Sequence, residues 1–427
     1  MTTAFSSPSG LDIVDPEFWR RPLDVRMADF AALREQSAFI PSEIEGTIFG
    51  DSTRFYSVIR HAELTEISRK PQLFCSGKGS TAIQDLPTEA TEYFGSFIAM
   101  DDPRHARQRL VVGSAFTPRR LATLVDSVSE ICSGLIDEMC EKGAVDLVEA
   151  ISAPFPLLVI CNLMGIPRSE FRTVLEASNV ILGAGDEEML AGRDPFGALL
   201  EAGATLVALM NELAEERRKN PTDDLTSALV HAEVDGQRLA PEELGPFFIL
   251  LAVAGNDTTR TATSMGMHLL GQHPDQRKIW QDDPDGVTAT AVDEIVRYAS
   301  PVVFMRRTAT EDLEIGGQMF EEGDKFLLFY GAANRDPRVF DEPETFELRR
   351  DPNPHVGFGG PGPHFCLGAH LARRELGIVF RQLFERLPDI HPVADAEFLR
   401  TAFGPPLVSG VKHLKVEFTP TAPLKNR

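Results

Sequence analysis

Apolar positions recur at helical spacing along most of the chain, and the longest such run opens at Pro241 and continues to about Gly271. At 1.5 Å per residue this helix spans about 45 Å, enough to cross a protein of this size. Shorter helical stripes cover Met27–Gln36 and His61–Lys70. Another starts at Thr117-Pro118, a cap followed by proline at the first helical position, and carries Leu121, Leu124, Val128, Ile131 and Leu135 towards Lys142. Further helices are predicted at about 148–163, 168–183, 196–219 and 222–231, broken by Gly165-Ile166-Pro167, Gly183 to Pro195 and Asn220-Pro221. Asp293–Tyr298 is also helical in pattern.

Alternation with a period of two is confined to short stretches. Gly46 to Ile59 alternates about Asp51-Ser52-Thr53, which predicts a hairpin. Val302-Val303-Phe304 and Lys325–Tyr330 are strand-like, with turns at Gly316-Gly317 and Glu322-Gly323-Asp324. Residues 1–20, and on to about 25, read as an irregular arm. Residues 75–98, rich in Gly, Ser and Thr, read as a long loop. The expected class is mainly α with a small β-rich part.

Composition adds exclusions. The chain is 43% hydrophobic and 25% charged, an ordinary globular balance. Its longest unbroken apolar run, Phe247 to Gly255, falls short of the ~18 residues of a spanning helix. Met1–Gly10 has neither a basic nor an apolar leader segment, so a cytoplasmic protein is expected. The net charge of −22 argues against nucleic acid and anionic membranes as partners. Cysteines at 75, 132, 140, 161 and 366 do not form a disulfide framework, and Cys132 and Cys161 fall on apolar helical stripes as core thiols.

Four stretches carry candidate chemistry. Val356–Gly368 is a loop rich in glycine and proline that delivers Cys366 to the start of a helix. There, free backbone N–H groups and the helix dipole favour a thiolate. Gly359, Gly360 and Gly362 allow tight turning and close approach to a flat, bulky group. An axial thiolate on haem iron meets these requirements. An inert buried cysteine and a zinc site using His364 or His370 are the alternatives, the latter lacking a second Cys/His pair. In the middle of the long helix, Ala254-Gly255-Asn256-Asp257-Thr258-Thr259 places a carboxyl beside a hydroxyl. Thr258 is spaced to bond the Ala254 carbonyl and open the helix locally. His105 and Arg109 share a helix face, as do Glu294 and Arg297. A helix kink and a solvated basic face are the plain readings of the first two, and Glu-x-x-Arg alone occurs by chance in many helices.

Together these stretches resemble the cytochrome P-450 superfamily, over about residues 20–420. The loop is similar to the haem-binding signature Phe-Gly-x-Gly-x-His-x-Cys-x-Gly, with one departure. The usual phenylalanine position, seven before the cysteine, is Gly359, and Phe358 stands eight before. The longer loop resembles bacterial members acting on steroids, branched lipids and terpenoids.

The resemblance implies an arm (1–20) and a single domain (21–427) shaped as a triangular prism of helices around haem b. Cys366 would be the iron ligand. His105, Arg109, Arg307, His364, Phe358, Ala254 and Gly255 would contact the haem. Asp257 and Thr258 would relay protons, and Glu294, Arg297 and Arg350 would form a structural triad. Ile249, Leu250, Val253, Val302, Val303, Phe304 and Phe403 would line the substrate pocket, under a lid at 165–195. The implied activity is O2-dependent hydroxylation of an apolar substrate (terpenoid, steroid, branched lipid or aromatic hydrocarbon). Two electrons would come from a ferredoxin and its reductase, docking near Arg104, Arg107, Arg373 and Arg374. A peroxide-driven peroxygenase and a non-catalytic haem or ligand-binding protein of the same fold are the alternatives.

Overall fold

The computed structural model describes residues 11–45, 52–116, 125–183, 186–190, 192–399 and 404–424. The fold is mainly α with small sheets, as expected. Its axis is the Pro241–Gln272 helix, whose 32 residues rise about 48 Å. Residues on every face of this helix are buried, Phe247, Phe248, Asn256, Thr263 and Met267 among them. A helix covered all round is a core helix. Pro154–Met164, Pro195–Lys219, Pro284–Ala299 and Ala369–Arg386 pack on its sides. At its start the Glu243 carboxylate accepts the Ala240 N–H at 2.7 Å, and Pro241 occupies the first turn.

The β-rich part contains a five-stranded sheet made of β1 (Phe39–Ile44), β2 (Thr53–Val58), β3 (Phe74–Cys75), β4 (Phe304–Ala309) and β5 (Lys325–Phe329). Its strand order is β1-β2-β5-β4-β3. β1 and β2 pair antiparallel from Phe39 opposite Val58 to Ile44 opposite Thr53. The hairpin therefore starts earlier than the alternation at 46–59 suggests. Ile48, Phe49 and Asp51 lie outside the described residues. β1 holds Pro41, which a central strand would reject but an edge strand accepts. Phe39 anchors it through edge-on contacts to Phe320 at 4.8 Å and Phe326 at 6.1 Å.

Two segments expected to be irregular are ordered. Pro16–Arg20 is a helix in which Asp15 caps the Glu17 N–H and Phe18 and Trp19 are buried. Trp19 donates to the Ile13 carbonyl at 2.8 Å and stacks on Phe329 at 5.9 Å. Within 75–98 lies the helix Thr88–Gly95, followed by a 3-10 turn at Ser96–Ala99. Phe97 from that turn stacks on Phe247 of the axial helix at 6.2 Å. The expected lid contains two helices, Phe171–Leu182 and Glu187–Leu190. The Thr117-Pro118 cap lies outside the described residues; its helix is described from Val125 to Met139.

One helix among the described residues, Pro195–Lys219, is long and apolar enough by length and composition to cross a membrane, a measure that the unbroken-run criterion missed. Its Ala202, Leu206, Met210 and Leu213 are buried in the main core.

Candidate active site

A cavity of about 230 Å³ lies between the axial helix and the cysteine loop. Cys366 faces it from one side; Ala254, Gly255 and Thr258 face it from the other. The loop is shaped by its own backbone: Cys366 N–H bonds the Phe358 carbonyl at 2.9 Å, and Gly359 N–H bonds that of Val356 at 2.9 Å. Gly359 and Gly362 have φ of 92° and 154°. A Cβ on Gly360 would sit 2.3 Å from Ser68 Oγ, and one on Gly362 2.2 Å from the Ser68 carbonyl oxygen. These two glycines thus serve close approach to the end of the His61–Arg69 helix, not only to a flat ligand.

The Ala369–Arg386 helix starts just after Cys366. The Gly368 N–H and the Arg109 and Arg373 guanidinium groups draw the thiol pKa down, yet burial outweighs them and pushes it up. Cys366 is exposed and lines the cavity. Burial thus opposes the thiolate that the helix start favours, and a cation bound to sulfur would favour it.

One rim of the cavity is basic, lined by Arg109, Arg307 and His364; His105 lies behind His364, with Nδ1 3.5 Å from Asp102. The His105 and His364 rings lie 4.1 Å apart. His364 Nε2 meets Ser76 Oγ at 3.1 Å, while His364 Nδ1 and His105 Nε2 are buried without a hydrogen-bond partner. Arg109 donates to the Phe365 carbonyl at 2.5 Å. Arg307 donates to the Arg306 carbonyl at 2.7 Å and has no ion pair with an acid among the described residues. Burial and the cations Arg307, His105 and Arg109 push His364 down to about 2; burial and then Arg109 lower His105. Orphaned donors and an uncompensated guanidinium beside a sulfur-bearing apolar slot fit a flat group carrying two carboxylates, as haem b does.

On the opposite wall Thr258 donates its hydroxyl to the Ala254 carbonyl at 2.7 Å, the bond its spacing suggests. The helix nevertheless runs through this turn unbroken. Asp257 does not line the cavity. Its carboxyl is buried, Oδ1 has no hydrogen bond, and its ion-pair partner is Arg260 at 4.0 Å. Burial raises its pKa, with Arg260 opposing. Arg260 in turn donates to the Val411 carbonyl at 3.2 Å and to Asn179 Oδ1 at 3.4 Å.

Comparison with known proteins identifies the arrangement. A family model described as "Cytochrome P450" matches residues 195–389. A methyl-branched lipid omega-hydroxylase of Mycobacterium tuberculosis is 42% identical over 417 residues, covering 96% of this chain and 95% of that protein. The chain belongs to the cytochrome P450 family. A steroid C26-monooxygenase of Rhodococcus jostii is 36% identical over 420 residues, covering 96% of this chain and 85% of that one. Among solved structures, a Mycobacterium marinum cytochrome P450 in complex with pseudoionone has a TM-score of 0.90 at 38% identity, covering 98% of this chain and 100% of that one. This P450 is therefore an enzyme, a haem-thiolate monooxygenase.

The remaining residues expected in the P450 site fall into three groups. Glu294 and Arg297, both with no exposed side-chain surface, pair through two bonds of 2.7 and 2.8 Å. Arg350 reaches Glu294 Oε2 at 3.2 Å. Arg297 also donates to the Asn334 and Pro343 carbonyls at 2.9 and 2.8 Å, tying three segments together away from the cavity.

Of the expected pocket residues, Leu250 and Val302 line the cavity, as does Phe358. Ile249 belongs to the helical core, and Val303 and Phe304 to a cluster with Phe30 and Phe329. Val253 is partly buried and packs against the helical core. Two rotations explain this. Ile249 and Leu250 differ by about 100° on the helix, and Val302 and Val303 point to opposite sides of an extended segment. Phe403 lies outside the described residues. Ile98, Phe247, Leu251 and Met305 complete the apolar wall.

The third group corrects the positive-patch reading. Arg104 forks onto Glu92 at 2.6 and 2.8 Å. Arg107 pairs with Glu243, and Arg373 with Asp293 at 2.7 Å. Three of the four arginines are thus offset by acids.

Sequence reasoning also missed Glu375. It lines the cavity, is hydrogen-bonded from Thr259, and is pushed by burial up to about 8. A carboxylate in the apolar stripe Leu371, Leu376, Val379 was the available signal.

Proposed function

We propose that this P450 holds haem b through Cys366 and hydroxylates a lipid near the end of a methyl-branched or isoprenoid chain, with electrons from a ferredoxin and its reductase. The carrying observation is the cavity in which Cys366 and Thr258 face each other between apolar walls and a basic rim of Arg109, Arg307 and His364. His105, Arg109, Arg307 and His364 would take the two carboxylates of the haem, and Ala254 and Gly255 leave room over its face. When bound, haem b supplies O2 activation: with two electrons and two protons, one oxygen atom becomes the product hydroxyl and the other water.

This chain's residues would do the rest. Leu250, Phe247, Leu251, Val302 and Met305 present no charge, so a hydrocarbon end would enter and bulk water would be excluded. The Thr258 hydroxyl would donate a proton on the cavity side, and Asp257, behind it, would resupply that proton. The chain ends named for the lipid and steroid hydroxylases and the isoprenoid ketone in the solved relative support this substrate class. We further propose that residues 21–427 work as one domain in the cytoplasm.

The reduced protein under carbon monoxide should show the red-shifted Soret band of thiolate ligation. With ferredoxin, reductase and NADPH it should convert a methyl-branched fatty alcohol to its terminal hydroxylation product by mass spectrometry. A band at the position of neutral imidazole or thiol ligation would overturn the assignment of Cys366.

A further inference from the structure

Behind the substrate wall lies a second, much smaller cavity, of about 20 Å³. Trp19, Leu23, Phe30, Val303 and Phe329 give it apolar sides, and Arg26 and Arg335 reach it. Ser300 and Val303 line it, while Pro301 and Val302, between them, line the large cavity.

The two arginines are not equivalent. Arg335 is satisfied, with Nε to Glu344 at 3.0 Å and Nη2 to the Tyr298 carbonyl at 2.8 Å. Arg26, only 3% exposed, makes a single bond, from Nε to the Arg21 carbonyl at 3.0 Å. Its guanidinium lies 5.5 Å from the Trp19 ring centre and 5.9 Å from that of Phe398. Among the described residues neither terminal nitrogen has a hydrogen-bond partner, and no acid pairs with it. Arg21, whose carbonyl it bonds, is itself paired with Asp29 at 2.7 Å. Burial, then Arg335 and Arg21, lower Arg26 to about 10.

An ionised guanidinium with two unpaired ends, among aromatic walls and beside a second buried cation, is destabilising unless an anion joins it. We infer that this cavity, bounded by the Leu23–Gln36 helix and the Ser300–Val303 segment, binds one small monoanion, a carboxylate of formate size or a halide, on Arg26. So small a cavity favours a small anion over phosphate, sulfate or a nucleotide. A carboxylate matches the fork of the two free nitrogens. Occupancy would brace the back of the Ser300–Val303 segment against which substrate packs.

The test uses the intact chain in zwitterionic buffer, with sulfate as the mobile anion and ionic strength held constant. Sodium formate, and separately sodium bromide, should raise the melting temperature of the wild type by about 3 °C or more at saturation. Arg26→Met should lose that response. In sulfate alone it should melt at or above the wild type, because a buried unpaired cation has become an apolar side chain of similar length. Arg26→Lys, which keeps the charge but not the fork, should respond more weakly to formate than to bromide. A bromide-soaked crystal should show an anomalous peak beside the Arg26 guanidinium. Equal anion responses in wild type and Arg26→Met would overturn the inference. So would a water refining in place of bromide, or Arg26→Met melting below the wild type in sulfate. If Arg26→Met does not fold, Arg26→Lys and the bromide crystal decide. None of these measurements requires turnover, so they stand or fall apart from the oxygenation chemistry.

Discussion

Thr258 and Asp257 adjoin in sequence, yet the hydroxyl faces the cavity and the carboxyl faces Arg260. Removing the hydroxyl in Thr258→Ala should leave the carbon monoxide spectrum and substrate affinity intact. Product per NADPH should fall about tenfold or more, with hydrogen peroxide making up the difference. Wild-type coupling would exclude the relay. Arg260 opposes the burial that raises Asp257. In Arg260→Met that opposition is lost and the pKa rises further, so the carboxylate forms only at higher pH. The acidic limb of the turnover profile should therefore move to higher pH, and Arg260→Lys should hold it near the wild-type position. Glu375 has its own pH signature. Its carboxyl goes from an ordinary 4.5 to about 8 on folding, so the folded chain holds the extra proton between those values. Stability then falls as pH rises across that window. Glu375→Gln should melt increasingly above the wild type from pH 4.5 towards 8, which calorimetry across that range would read.

At the scale of elements, the network of Glu294, Arg297 and Arg350 is buried and joined to backbone carbonyls. Glu294→Gln should strand two guanidinium groups and cost on the order of 3–5 kcal/mol, seen as lost haem retention and a lower denaturation midpoint. What the sequence discloses at this scale follows from periodicity. Long helices such as Pro241–Gln272 and Ala369–Arg386 carry enough turns for the stripe to stand out. Thr88–Gly95 is eight residues long, too short for a stripe, and β1 is disguised by Pro41. The site divides in the same way. Cys366, Thr258 and the Glu294–Arg297 pair are announced by local motifs. The wall is not, because choosing Leu250 over Ile249, or Val302 over Val303, needs the rotation of each backbone segment about its axis. The alliance of Asp257 with Arg260, Asn179 and Val411 depends on contacts from distant segments and leaves no local trace.

For the whole molecule, charge is the property most open to misreading. With net charge −22 and three of the four candidate arginines held by acids, long-range attraction of an acidic ferredoxin should be weak. Its reduction rate should change by less than about threefold between 10 and 150 mM salt; stopped-flow reduction would measure this. A steep decline with salt would restore the basic patch.

Gly360 and Gly362 rest on Ser68, at the end of a helix whose Leu64 and Ile67 share a core with Phe326 and Leu328 of the sheet. The sulfur is thus propped from the β-rich side like a shelf on a bracket, while the opposite wall belongs to the helical body. The gap between them is a dimension set jointly by two separately packed cores, so a loosened sheet would widen it while every long helix stayed in place.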